Sequence, residues 1–106
     1  MCADDLDPVW KALSDPTRRR ILDYLREGPR ITGEIVEQFP ELSRVGVVKH
    51  IDVLRDAGLI LVRKDGRRRI NRLNPVPIRQ IYNRWVRGFE GLWSGVLADL
   101  AEDLTG

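Results

Sequence analysis

Thiol and imidazole chemistry is nearly absent from this 106-residue chain, which has one cysteine, Cys2, and one histidine, His50. A single thiol forms no internal disulfide, and Cys2, in a terminus expected to fray, reads as idle. Transition-metal sites need several ligands converging on one ion. No second His or Cys lies near His50, so no metal and no cofactor are expected. Apolar runs are short as well, none approaching the roughly 18 residues of a membrane span. The opening Met1-Cys2-Ala3-Asp4-Asp5 lacks the basic and apolar regions of a secretory leader, which predicts a cytoplasmic protein. The parts of an enzyme are also missing. There is no nucleophile paired with a base, no phosphate-binding glycine loop and no metal-ligand set.

The charge that is present is unevenly placed. The length suits one compact domain, and the formal net charge is only +2. Residues 1–41 carry six Lys/Arg against nine Asp/Glu, residues 42–73 carry nine against three, and residues 74–106 carry three against four. A positive middle third between mildly acidic flanks predicts one face attracted to a polyanion, with nucleic acid the leading partner.

Apolar periodicity supplies the elements. Leu6, Val9, Trp10 and Leu13 recur at helical spacing and predict a helix over 5–14. Ser14-Asp15-Pro16 is a helix-start signal, and a second helix with Ile21, Leu22 and Leu25 inward runs to about Glu27, before Gly28-Pro29. Thr32 is the expected N-cap of a short third helix carrying Ile35, Val36 and Phe39, closed by Pro40. Ser43 is the expected cap of a fourth, with Val47, Ile51 and Leu54 inward and Gly58 as its left-handed stop. Two helices joined by Pro40-Glu41-Leu42 make a helix-turn-helix over 32–57. The β-prone runs Leu59–Lys64 and Arg67–Leu73, joined at Asp65-Gly66, predict a hairpin wing over 59–73. After Asn74-Pro75-Val76-Pro77, residues Ile78, Ile81, Trp85, Phe89, Leu92, Val96, Leu100 and Leu104 predict one long helix over 77–104.

That last helix carries a second apolar row, with Tyr82, Val86, Trp93 and Leu97. At roughly 25 cal/mol per Å2, leaving Trp85, Phe89 and Trp93 partly wet forfeits several kcal/mol, so a second copy of the chain is expected to cover them. The fold class is therefore mainly α with a small β-hairpin, a winged helix-turn-helix in the order α-α-α-α-β-β-α. The whole chain, 1–106, forms one such domain in a homodimer.

The run Trp10-Lys11-Ala12-Leu13-Ser14-Asp15-Pro16-Thr17-Arg18-Arg19-Arg20-Ile21-Leu22 resembles the opening of ArsR-type winged-helix repressors. The resemblance continues through Val48-Lys49-His50-Ile51-Asp52-Val53-Leu54-Arg55-Asp56-Ala57-Gly58-Leu59-Ile60 and Gly66-Arg67-Arg68-Arg69, covering about residues 9–75. It implies a homodimer built from the first and last helices, with Leu6, Val9, Trp10, Ile81, Trp85, Phe89, Leu92, Trp93 and Val96 at the interface. It also implies a repressor that occludes a palindromic operator. Family members often carry Pro and Ser where this chain has Val45 and Val48. Metal-sensing members carry a cysteine motif on the third helix and acid/histidine pairs on the last. Residues 30–35 and the terminal helix contain neither, which resembles a non-metal-sensing branch.

A recognition helix meets bases with its N-terminal residues, here Ser43, Arg44, Val45, Gly46, Val48 and Lys49. Arg44 and Lys49 can donate to guanine or phosphate, and the valines can meet a thymine methyl. Arg67 and Arg68, beside the wing turn, are the best candidates to grip phosphates or a narrow minor groove. Arg69 and Thr32 complete the expected DNA-contacting set with His50, whose ring faces either a phosphate or a neighbouring helix. Strand alternation turns some of the wing's cations away from DNA. Two matters stay open. One is an unidentified small-molecule effector near Trp85, Phe89 and Trp93, where a plain apolar core is the simpler reading. The other is the rival function, a winged-helix adaptor that binds protein through its terminal helix without specific DNA binding.

Overall fold

The computed structural model describes residues 6–105, without the side chains of Trp93 and Thr105. The expectations for Cys2, for the start of the first helix at residue 5 and for the Trp93 side chain lie outside the described residues. Helix α1 (Asp7–Leu13) leads into helix α2 (Pro16–Leu25) through Ser14-Asp15. The two polar residues divide the work of that junction. Ser14 Oγ donates to the Lys11 carbonyl at 2.6 Å, closing α1, while Asp15 accepts the Arg18 amide N–H at 3.1 Å, opening α2.

Strand β1 (Arg30–Ile31) precedes helix α3 (Thr32–Gln38), and helix α4 (Arg44–Asp56) follows after a short turn. Helix α4 is bounded as its sequence predicts. Ser43 Oγ accepts the Gly46 N–H at 3.0 Å, and a Cβ on Gly46 would stand only 3.2 Å from that oxygen, so the glycine makes room for the cap. At the other end Gly58 sits at φ +80°, with Leu59 N–H bonded to Leu54 C=O and Gly58 N–H to Arg55 C=O. These are the paired bonds of a Schellman stop, whose two leucines, Leu54 and Leu59, are fully buried.

The cap of α3 differs from expectation. Ile31 occupies the capping position, Glu34 accepts its N–H at 3.0 Å, and Thr32 is already the first helical residue. The threonine hydroxyl instead accepts Asn71 Nδ2–H at 3.1 Å, because Asn71 is the one buried polar residue among those described and its amide needs acceptors.

Strands β2 (Ile60–Asp65) and β3 (Arg68–Leu73) form the wing, and β1 pairs with the far side of β3, so the expected hairpin is a three-stranded antiparallel sheet in the order β1-β3-β2. Pairing of Asp65 with Arg68 puts the turn at Gly66-Arg67, one residue later than expected. Gly66, at φ +61°, takes the first turn position, where only a residue without Cβ is unstrained.

The core is gathered from every layer. Ile21, Leu22 and Leu25 of α2, Ile35 and Phe39 around α3, and Val47, Ile51 and Leu54 of α4 are buried together with Ile60 of β2. Val9 (3% exposed) and Ile81 (7%) belong to this same core, which corrects their assignment to the dimer face. Leu6 is partly buried against it too. The terminal helix is continuous but not uniform. Helix α5 (Val76–Ile81) passes through a π-helical turn, Tyr82–Val86, into helix α6 (Arg87–Thr105). The wider turn rotates the apolar rows beyond it relative to those before. From Tyr82 to Leu104 every described side chain is exposed, and the chain reaches 64 Å along its long axis.

Candidate nucleic-acid interface

Between α4 and the wing lies a cleft of about 460 Å3, floored by the start of α3 and by Asn71. Helical spacing brings Arg44, Val48, Asp52 and Arg55 of α4 to one wall, and the wing turn brings Arg67, Arg68 and Arg69 to the other. Val45, 65% exposed, and Lys49 stand on the adjoining outer stripe of α4. The expected recognition residues thus divide between a cleft-facing row and an outward row, with Ser43 and Gly46 forming the cap at their head.

Asn71 fixes the angle of the wing. Its amide donates to the Arg30 carbonyl at 3.2 Å and to Thr32 Oγ1 at 3.1 Å, which ties β3 to both β1 and the first turn of α3. Neither bond can be lost cheaply, because Asn71 is 1% exposed and water cannot replace its partners. Thr32 therefore lines the cleft with its hydroxyl already engaged. Alternation on the hairpin does the rest. Arg69 and Asn71 share the cleft side of β3, whereas Arg63 and Arg72 line the opposite face with Leu61 and Ile70.

His50 does not join the cleft. Its ring is half-buried against α2, where Nδ1 lies 3.3 Å from Arg18 Nη1 and 4.0 Å from Asp15 Oδ2. Of the two roles left open by the sequence, helix packing is the one whose contact is present here, and it leaves His50 less accessible than Arg44, Val45 and Lys49. The Arg18 amide N–H, chiefly, holds the Asp15 carboxyl below the ordinary aspartate range, with further help from the charges of His50 and Arg18.

The arginines differ sharply in what they touch. Among the described residues no ion pair or side-chain hydrogen bond holds Arg44, Lys49, Arg67, Arg68 or Arg69. Four unneutralised arginines lining one cleft, with Lys49 on the stripe beside it, constitute a surface for a polyanion. Sequence reasoning missed Asp52 and Arg55 on the same wall, 3.2 Å apart. Extending the Arg44–Val48 row by one and two further turns finds both. Among the described residues no group of three or more His, Cys, Asp or Glu is placed to hold a metal ion, and no helix is long and apolar enough to cross a membrane.

Comparison with known proteins agrees with this geometry. A helix-turn-helix domain model matches residues 13–63. The transcriptional repressor SdpR of Bacillus subtilis is 34% identical over 84 residues, 79% of this chain and 91% of that protein. A crystal structure of an ArsR family transcriptional regulator superposes with a TM-score of 0.76 at 31% identity, covering 89% of this chain and 95% of the other. A solution structure from Mycobacterium bovis superposes with a TM-score of 0.65 at 25% identity, covering 82% of each chain. It is described as a homodimeric winged helix-turn-helix DNA-binding domain of a possible ArsR-family regulator. These relatives are regulators of transcription, which favours DNA over a protein-only adaptor role. With its capped α4, its wing and the cationic cleft between them, this chain belongs to the ArsR family of winged helix-turn-helix transcriptional regulators.

Proposed function

We propose that two copies of the chain join through α1 and the α5–α6 helix and set their α4 helices into successive major grooves of a palindromic operator, repressing transcription by occlusion. The observation that carries this reading is the cleft between α4 and the wing, with Arg44, Arg67, Arg68 and Arg69 unneutralised at its edges. Arg44 and Lys49 reach base edges or phosphates, Val45 and Val48 meet thymine methyls, and the wing turn holds the flanking backbone or minor groove. Exposed apolar side chains support the dimer: Trp10 at 44%, Trp85 at 49%, Phe89 at 52%, Leu92 at 66% and Val96 at 48%. A soluble protein gains several kcal/mol by covering such a row. The homodimeric relative and the repressor relative support the same assembly and outcome. Regulation without a bound metal, in the cytoplasm and without catalysis, completes the reading.

Selection of bound duplexes from a random pool tests it. The expected product is an inverted repeat with half-sites about 10 base pairs apart, bound with affinity that falls steeply as salt rises. A protein that stays monomeric and enriches no sequence would overturn the proposal.

A further inference from the structure

A cleft lined only by arginines would hold the phosphates of any duplex, and sequence-independent binding of that kind competes with the operator throughout a genome. The cleft here is not purely cationic. Asp52 lies in its α4 wall, two turns after Arg44 and across from the wing arginines. Its carboxylate stands 3.2 Å from Arg55 Nη1, while Arg55 Nη2 lies 3.3 Å from Asp56 Oδ1. One guanidinium is therefore shared by two carboxylates, of which only Asp52 lines the cleft, so a carboxylate with only a share of Arg55 stands inside an otherwise positive surface. Asp52 and Arg55 remain partly open to solvent, at 42% and 40% side-chain exposure, so the carboxylate is accessible to whatever enters.

Resting on the DNA-binding reading above, we propose that Asp52 is a specificity-determining residue that penalises a phosphodiester seated in the depth of the cleft. A duplex gripped only through its backbone settles toward the arginines and meets the carboxylate. On the operator, base contacts made by the outward row, Val45 and Lys49, together with Arg44, hold the backbone at the mouth of the cleft by the wing turn, out of reach of Asp52. Discrimination thus comes from a repulsive element placed against the wrong complex. Arg55 keeps the carboxylate aimed, and its own charge is divided between Asp52 and Asp56.

The test compares Asp52→Asn, Arg55→Gln and the double variant with the unaltered protein, each titrated into the selected duplex and into an unrelated duplex across a salt series. Dimerisation and the unfolding midpoint are recorded for each. Asp52→Asn is expected to tighten binding to the unrelated duplex by roughly 3- to 10-fold and to change operator affinity less, so that the specificity ratio falls. The same gain should persist in the Arg55→Gln background. An unchanged ratio would overturn the proposal. So would weaker operator binding with no gain on the unrelated duplex, which makes Asp52 a base-reading acceptor, or loss of the effect in the Arg55→Gln background. An unaltered protein that binds neither duplex overturns this inference and the DNA-binding reading together, whereas the other failures leave that reading standing.

Discussion

The same tetrapeptide, Arg-Arg-Arg-Ile, occurs twice in this chain, at residues 18–21 and at 67–70, and the two copies do opposite things. In α2 the arginines serve the fold. Arg18 donates to the Ala12 carbonyl at 2.7 Å and to the Lys11 carbonyl at 3.0 Å, and Arg19 donates to the Leu13 carbonyl at 2.7 Å. Those carbonyls lie in the last turn of α1, where acceptors run short of helical partners and cations are also favoured by the helix dipole; among the described residues only that of Lys11 has a further donor, in Ser14. Arg20 bonds Glu41 at 3.2 Å and lies 4.7 Å from the centre of the Phe39 ring. In the wing the same three residues meet no acceptor among the described residues. Composition cannot separate the copies. What separates them is whether unpaired oxygens of the protein lie within a side chain's reach, and where none does, the charge remains for a ligand.

Removing the wing copy should give the largest effect. With Arg67, Arg68 and Arg69 all changed to Ala, affinity for the selected duplex is expected to fall about 100- to 1000-fold near physiological salt, and the salt slope to drop by about 2 to 3. Stability should stay within about 0.5 kcal/mol, since no protein contact is lost. Fluorescence anisotropy across a salt series and urea unfolding measure the two halves. A folded triple variant that binds like the parent would show the copies are not functionally distinct.

The α2 copy should respond in the opposite sense. Arg18→Ala strands the Ala12 carbonyl, takes one of several donors from the Lys11 carbonyl and removes a partner of His50, at an expected cost of about 2 kcal/mol in urea unfolding. The salt slope of DNA binding should not change. Lysine should recover only part of the loss, because one ammonium cannot bridge carbonyls and imidazole as a guanidinium fork does. If Arg18→Ala lowered the salt slope without lowering stability, the division between a structural and a ligand-binding triplet would fail.

The contrast also explains which features were legible in sequence. Helix α4 was readable in full, because its cap at Ser43, its buried row of Val47, Ile51 and Leu54 and its stop at Gly58 are all local signals. The wing was readable as a hairpin, but its turn came one residue late, since Asp65-Gly66 and Gly66-Arg67 both offer glycine a turn position and the register is decided by which pairs close. Strand β1 is two residues long and exists through its pairing with Asn71 and Ile70, so periodicity could not find it. Thr32 and His50 looked like surface contacts because Asn71, Asp15 and Arg18, which engage them, are distant in sequence or on another helix. The cationic cleft was visible as charge, whereas Asp52 inside it needed the α4 wall to be seen in three dimensions.

The smallest expected effect sharpens the comparison at the cap that starts the α2 copy. Asp15 accepts the Arg18 N–H, and the bond holds its carboxyl below the ordinary value of 3.8. A group whose pKa is depressed on folding stabilises the fold above its unfolded-state value, and that contribution disappears as pH falls through the folded value. Asp15→Ala should therefore cost about 1 kcal/mol at pH 7, the usual worth of an N-cap. The gap to the parent should narrow as the medium is acidified from about pH 4, where the unfolded chain's carboxyl begins to take up its proton, down through the lower value of the folded parent. Asp15→Asn keeps an acceptor oxygen without the titration, so it should hold most of the stability at pH 7 and approach or overtake the parent in acid. Unfolding midpoints of the three proteins at pH 7 and in acid decide the matter. A gap between parent and Asp15→Ala that is independent of pH would mean that the cap works through shape alone and that the charge beside Arg18 contributes nothing to holding the first copy in place.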